Sequence, residues 1–294
     1  MVMERIVSFP GRQWNESCTP QQQQQAMESL ENGCVLFFPH LDFVFSQTEQ
    51  KFLTPAWSNG TRKNISYNAA TGKILGVQGD PESRRELAAL LRRYADCTQT
   101  LLHNLFGQYR SALLRARTSY RPMQIKGRAS STTKDDTRLH PDAFPSRPTG
   151  GKRILRVFCN VNPHGAGRDW RIGEAFETFA GRFMPRSQPP FPGSRELLYL
   201  LRVTRTPRTL YDHYMLALHN TGKMDESYQK TGIQNSVSFP ARSVWICFTD
   251  EVLHAVDAGQ YLLEQTYLLP VEAMQSPEKS PLRVLERITK RPLT

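Results

Sequence analysis

Two short strings in this sequence combine imidazole and carboxylate at a spacing that suits a metal ion. Arg138-Leu-His-Pro-Asp-Ala-Phe144 contains His140 and Asp142 two residues apart, and on an extended chain such residues point to the same side. Far downstream, Asp250-Glu-Val-Leu-His-Ala-Val256 supplies His254 between two expected strands. Two imidazoles and one carboxylate on one octahedral face leave three positions open. That set suits non-haem iron(II), which must bind a cosubstrate and dioxygen together. The pattern alone is unspecific, because the chain has seven histidines and repeats His-x-Asp at His40-Leu41-Asp42. A bare match of this kind is usually a surface loop. Context favours the second copy: His140 precedes the strand-like Arg153-Ile-Leu-Arg-Val-Phe158, whereas His40 lies before the strand-rich sequence begins.

An oxygenase that consumes 2-oxoglutarate also needs a cation for the distal carboxylate, and the planar fork of arginine binds it through two parallel hydrogen bonds. The stretch after His254, Asp257-Ala-Gly-Gln-Tyr-Leu-Leu-Glu-Gln-Thr266, contains none. The alternative position, used by the JmjC-like branch of such oxygenases, is the strand after His-x-Asp, where Arg156 stands. Its neighbours Leu155 and Val157 are apolar, so alternation turns Arg156 to the opposite face. A buried arginine without a carboxylate partner is costly, and a bound diacid would give it a reason to be there. A solvent-facing strand arginine is the competing reading. Arg121, in Tyr-Arg-Pro-Met-Gln, is a second candidate carboxylate contact. Trp170, in Gly-Arg-Asp-Trp-Arg-Ile-Gly, offers an indole donor or a wall for the cosubstrate pocket, against the plainer reading of a packing tryptophan in a loop.

These residues need a scaffold. Gln21–Leu30 reads as a helix, and Cys34–Phe38 as a buried strand after the Asn32-Gly33 break. Asp80-Pro81 opens a long amphipathic helix carrying Leu87, Leu90, Leu91, Tyr94, Leu101, Leu102 and Leu105, with a second short helix over 108–116. From about residue 119 short strand-like segments take over: 121–126, 153–161, 243–248 and 261–269. One helical interruption lies near 207–221. The expected fold class is α+β, a double-stranded β-helix (jelly-roll) core with packed N-terminal helices and a helical insertion. It divides as 1–118 mainly helical, 119–270 oxygenase core and 271–294 a loosely held basic tail.

The chain has 294 residues, 39% hydrophobic and 22% charged, a globular composition with room for an internal site. Its 38 Lys and Arg against 27 Asp and Glu give a net charge of +11, which favours an anionic partner. No compact basic run with interleaved aromatics marks it for nucleic acid. Arg202, Arg205, Arg208 and Lys223 are candidate anion contacts, and Asn160 and Asn162 alternate on a strand where they could reach sugar or cosubstrate. Five cysteines without a CxxC spacing suggest reduced thiols and a cytoplasmic chain. With no apolar stretch at the N-terminus or elsewhere suited to export or spanning, membrane contact is expected to be peripheral.

Longer strings are far more specific. Ser-Thr-Thr-Lys-Asp-Asp-Thr-Arg-Leu-His-Pro-Asp-Ala-Phe-Pro-Ser (131–146) and Gly151-Lys-Arg-Ile-Leu-Arg-Val-Phe-Cys-Asn-Val-Asn-Pro163 resemble the Kdo 3-hydroxylases. So do Arg205-Thr-Pro-Arg-Thr-Leu-Tyr-Asp-His-Tyr-Met-Leu216 and Trp245-Ile-Cys-Phe-Thr-Asp-Glu-Val-Leu-His-Ala255, and the likeness runs from about Cys34 to Pro270. The resemblance implies a Gram-negative bacterial enzyme that uses iron(II), dioxygen and 2-oxoglutarate to hydroxylate carbon 3 of the terminal Kdo of Kdo2-lipid A, giving Ko. It implies His140, Asp142 and His254 as ligands, and favours Arg121, Arg156 and Trp170 as cosubstrate contacts. A +11 chain suits docking at an anionic inner-membrane surface. Two alternatives remain: the same chemistry on another anionic sugar or lipid, and a non-catalytic jelly-roll module that binds anionic glycolipid. Oligomeric state is not legible.

Overall fold

The computed structural model describes residues 5–127 and 130–294; Met1–Glu4, part of the N-terminus read for an export signal, lie outside it. Eleven strands form two sheets among the described residues. In chain order they are β1 Ile6–Ser8, β2 Val35–Phe38, β3 Ile65–Asn68, β4 Lys73–Leu75, β5 Leu114–Arg121, β6 Arg153–Asn160, β7 Arg168–Gly173, β8 Gln234–Phe239, β9 Ser243–Phe248, β10 His254–Ala258 and β11 Leu262–Leu269. The larger sheet runs β1-β2-β9-β6-β11-β5-β3-β4, and the smaller runs β10-β7-β8. Pairing is antiparallel throughout, except between β1 and β2.

Among the described residues seven helices accompany the sheets: α1 Pro20–Glu31, α2 Pro81–Leu105, α3 Phe176–Phe183, α4 Ser194–Leu200, α5 Leu210–Met224, α6 Glu226–Thr231 and α7 Pro281–Thr289. The start of α2 is set by Asp80, whose carboxylate accepts from the amides of Glu82 and Ser83 at 2.9 and 2.8 Å, with Pro81 in the first turn. Its leucine stripe is buried, each side chain worth ~1.5–3 kcal/mol of transfer free energy. The stripe lies against the large sheet, where the Tyr94 hydroxyl donates to the Val157 carbonyl at 3.0 Å.

That face explains β6, in which every residue is buried. Leu155, Val157 and Cys159 join the main core under α2. Phe158, on the other face, joins a second apolar cluster with Trp170, Ile172, Phe239, Val256 and Trp245. The second cluster therefore sits between the two sheets, on the side where Arg156 also emerges.

Several expectations shift. The helix read over 108–116 is a single turn at Gly107–Tyr109 followed by β5, which ends where a strand over 121–126 was expected. Pairing with β11 and β3 overrides the helical look of Leu-Arg-Ala-Arg. The region before residue 119 is not only helical, since β1 and β2 build one edge of the large sheet and β3 and β4 the other. Residues 271–294 are no loose tail: α7 starts at a Ser280 cap and buries Leu282, Val284 and Leu285, and Leu293 is buried beyond it. Trp170 lies in β7 rather than in a loop.

Candidate metal centre and cosubstrate cavity

His140 lies beyond the edge of the small sheet and pairs directly with the first residue of β10. The amide of His140 donates to the carbonyl of His254 at 3.1 Å, and the amide of His254 returns a bond to His140 at 3.0 Å. The chain stays extended, and the amide of Asp142 donates to the Thr249 carbonyl at 2.7 Å. Close approach here depends on Gly173, because a β-carbon at that position would stand 2.7 Å from Leu139 and 3.0 Å from Leu253.

This bracing brings one ligand atom from each of His140, Asp142 and His254 within 4.8 Å of the others, and no other group of metal-ligand type forms among the described residues. The His140 Nδ1 lies 2.6 Å from the Arg138 carbonyl and the His254 Nδ1 lies 2.8 Å from that of Val252. A protonated Nδ1 donating to each carbonyl leaves both Nε2 atoms with a lone pair for a cation. Burial and neighbouring positive charge push both imidazoles below their ordinary range, so they are neutral, as ligands must be. Burial would raise the Asp142 carboxyl, but the Arg156 guanidinium and the Thr249 hydroxyl outweigh it and hold the carboxylate ionised. His219 stands edge-on to His140, with ring centres 4.9 Å apart. His40 joins no ligand set, and Asp42 of the rival motif reaches toward Arg242 instead.

The triad opens on a cavity of about 170 Å³ between the sheets, lined also by Lys63, Arg121, Asp136, Arg156, Arg168 and Trp170. All three residues expected to hold a cosubstrate are therefore present. The ground offered for Arg156 changes, however. It is not without acidic partners: its guanidinium reaches Asp142 at 3.1 Å and Glu264 at 3.3 Å. Arg121 is likewise engaged, with Glu264 at 2.6 Å and Asp136 at 3.5 Å. Asp136 pairs with Lys63 as well.

The uncompensated cation is Arg168, at the start of β7. Its side chain is buried and forms no ion pair or hydrogen bond among the described residues; Nε and Nη1 are both without a partner. Burial pushes its guanidinium down to about 9, still charged at neutral pH. The Trp170 indole N–H is also buried without an acceptor, and its ring stacks on His254 with centres 5.1 Å apart. A cavity with one unmatched guanidinium, one unmatched indole donor and a neutral-imidazole triad fits a metal and a small carboxylate ligand. Sequence reasoning passed over Arg168, although alternation along Arg168-Asp-Trp-Arg-Ile places it on the same face as Trp170.

Other expectations fall away. Lys223 is buried, and its ammonium lies 3.3 Å from the Thr133 carbonyl, so it is no surface anion contact. The Asn160 side chain donates to the carbonyls of Ala166 and Phe239, and Asn162 caps a turn at His164, both structural roles.

The 3-deoxy-D-manno-oct-2-ulosonic acid (Kdo) hydroxylase family model matches residues 13–292. The chain belongs to the Kdo hydroxylase family. A crystal structure of the Kdo hydroxylase KdoO, a non-heme Fe(II) alpha-ketoglutarate-dependent dioxygenase in complex with alpha-ketoglutarate and Fe(III), is 52% identical, with a TM-score of 0.96 over 98% of this chain and 97% of that one. The cobalt(II) complex of KdoO is 53% identical with a TM-score of 0.97 over the same shares. No match emerges among curated protein sequences. Among the described residues of this Kdo hydroxylase family member, no helix is long and apolar enough to cross a membrane.

Proposed function

We propose that this chain is an iron(II)- and 2-oxoglutarate-dependent dioxygenase that hydroxylates carbon 3 of the terminal Kdo of Kdo2-lipid A, with His140, Asp142 and His254 as the metal ligands. The observation that carries the reading is the coincidence, in one cavity, of the neutral triad with an unpaired buried arginine, in a family whose member KdoO binds iron and alpha-ketoglutarate. The two sheets are read as the halves of a double-stranded β-helix, to which residues 1–118 add strands at both edges of the larger sheet along with packed helices, and around which the 207–221 insertion packs.

Bound iron with 2-oxoglutarate and dioxygen supplies the oxidation that exchanges a C–H bond for C–OH, with succinate and carbon dioxide as by-products. The protein's part is positional. Nδ1–H bonds to Arg138 and Val252 fix the tautomers of the two histidines. Arg156 and Thr249 fix the Asp142 carboxylate. Arg168 takes the distal carboxylate of 2-oxoglutarate, Arg121 and Arg156 set the field around it, and the Trp170 indole donates into the cavity and closes its wall. Such enclosure excludes water and fixes the reacting carbon, which is where the rate comes from.

Peripheral membrane contact is part of this reading. Phe191, Leu197, Tyr199, Leu200, Leu201 and Val203 form a cluster of exposed apolar residues in and around α4, with Phe191 at 85% and Leu200 at 77%. Interleaved Arg195, Arg202 and Arg205 complement an anionic lipid surface.

The test is anaerobic addition of iron(II) and 2-oxoglutarate to the purified protein, followed in the visible spectrum. A weak charge-transfer band, lost on chelation and absent in His140→Ala, is expected. No band and no 2-oxoglutarate binding would refute the oxygenase reading, and succinate release across a panel of acceptors then tests the Kdo assignment.

A further inference from the structure

The cosubstrate cavity shares Lys63, Arg121 and Arg156 with an adjoining groove of about 510 Å³. The groove's far side carries Arg62, Arg117 and Arg147, and Arg205 lies close enough to repel Arg117 and Arg147. Of the six cationic side chains in this lining, Lys63, Arg121 and Arg156 are engaged by Asp136, Asp142 and Glu264, which leaves Arg62, Arg117 and Arg147 facing no carboxylate of their own among the described residues. None of Arg62, Arg117, Arg147 and Arg205 forms an ion pair among the described residues. The Arg117 side chain makes a single bond, from Nη1 to the Ser66 hydroxyl at 3.1 Å, and its Nε is buried without a partner.

On an open surface such guanidinium groups would splay apart into water. Here the fold holds them together. Arg117 is fixed on β5, and Arg147 rides on a loop whose Ser146 carbonyl accepts from the Arg205 amide at 3.1 Å. Burial and mutual repulsion both weaken the charged forms of Arg117 and Arg147, a cost that a bound anion would relieve. One sugar carboxylate brings a single negative charge. A phosphate monoester brings about −1.5 to −2 at neutral pH and three strong acceptor oxygens, a better match for several arginine forks.

We propose that this groove is a phosphate-monoester subsite of the acceptor, distinct from the cavity that holds 2-oxoglutarate. It rests on the reading above only in taking the acceptor to be a phosphorylated glycolipid whose sugar enters the adjoining cavity. The groove's rim at Pro145 and Ser146 is tied by Arg208 and Arg205 to the segment that follows the exposed apolar patch around α4.

The experiment uses the full chain with cobalt(II) in place of iron and with saturating 2-oxoglutarate, titrated calorimetrically with glucose 1-phosphate; glucose and glucuronate serve as controls. Wild type is expected to bind glucose 1-phosphate, to ignore glucose and to bind glucuronate at least tenfold more weakly. Arg62→Ser with Arg147→Ser, two side chains that make no hydrogen bond among the described residues, should weaken glucose 1-phosphate at least tenfold and leave 2-oxoglutarate affinity unchanged. Equal affinity in the double variant, or glucuronate binding as well as the phosphate ester, overturns the subsite. Glucose 1-phosphate binding in a protein that takes up no 2-oxoglutarate would instead overturn the oxygenase reading and leave the subsite standing.

Discussion

Replacing Arg168 by methionine should separate ligand binding from stability in opposite directions. This guanidinium is buried, with two nitrogens unpartnered and no carboxylate in contact among the described residues. Exchanging an uncompensated buried charge for an apolar side chain of similar length is neutral or stabilising. A gain of ~1 kcal/mol would raise the melting temperature by roughly 2–4 °C in a chain of this size. The 2-oxoglutarate complex should move the other way. A bidentate charge-assisted pair is lost, Arg121 and Arg156 remain nearby, and about 2–3 kcal/mol corresponds to a 30- to 150-fold weaker Kd. Arg156→Met provides the contrast, because it strands the Asp142 carboxylate while Glu264 keeps Arg121, and should cost about 3–5 kcal/mol of folding stability. Calorimetric titration of 2-oxoglutarate into the cobalt(II)-loaded variants, beside thermal melts of the metal-free proteins, reads both quantities. Unchanged 2-oxoglutarate affinity in Arg168→Met, or a ligand-free protein destabilised as much as Arg156→Met, would refute the assignment.

His140→Ala and His254→Ala should each abolish stoichiometric cobalt(II) binding; retention in both would remove the triad from the metal site. Leu200→Asp with Leu201→Asp should abolish co-sedimentation with vesicles of phosphatidylglycerol and phosphatidylethanolamine while leaving 2-oxoglutarate affinity intact, since both leucines are exposed; unaltered sedimentation would place any membrane contact elsewhere. Burial presses the Lys223 ammonium down to about 8 from an ordinary value of 10.5, so above pH 8 the unfolded chain holds the extra proton. Its contribution to stability therefore rises as pH climbs from about 8 toward 10.5. Subtracting the pH dependence of Lys223→Met from that of wild type should show this rise, and a flat difference would show that the lysine is not desolvated. Gly173→Ala should disturb both segments that carry the histidines, because its methyl meets Leu139 and Leu253; undiminished cobalt(II) affinity would show that they shift aside at no cost to the site.

The legible parts of this fold are those where one force acts alone. The α2 stripe and the Asp80 cap are visible because burial at helical spacing and a capping carboxylate need no tertiary partner. β9 is legible for a similar reason, since Ser243–Phe248 is buried on both faces and reads as one apolar run. β5 and β7 hide because charged residues interrupt their apolar pattern. Arg117 and Arg121 make β5 resemble a helix surface, while Arg168, Asp169 and Arg171 make β7 resemble a loop. The same masking explains the site. His140 and Asp142 are two residues apart on an extended segment and can be paired from sequence, whereas matching Arg156 to Asp142 and Glu264 depends on the strand register that sets Thr266 opposite Arg156. Which arginine has no acid beside it is therefore a fact about pairing, beyond the reach of spacing.

The reciprocal backbone bonds between His140 and His254, with Asp142 already balanced by Arg156, bear on how the protein meets its metal. A ligand set assembled by main chain and charge-neutral in advance needs no ion to hold its shape. Chelation should then drain the centre without loosening the chain, and re-addition should restore it with no refolding delay. Such an enzyme can wait through iron scarcity as a folded reserve and respond at the speed of metal diffusion, its working fraction set by the supply of iron rather than by renewed synthesis.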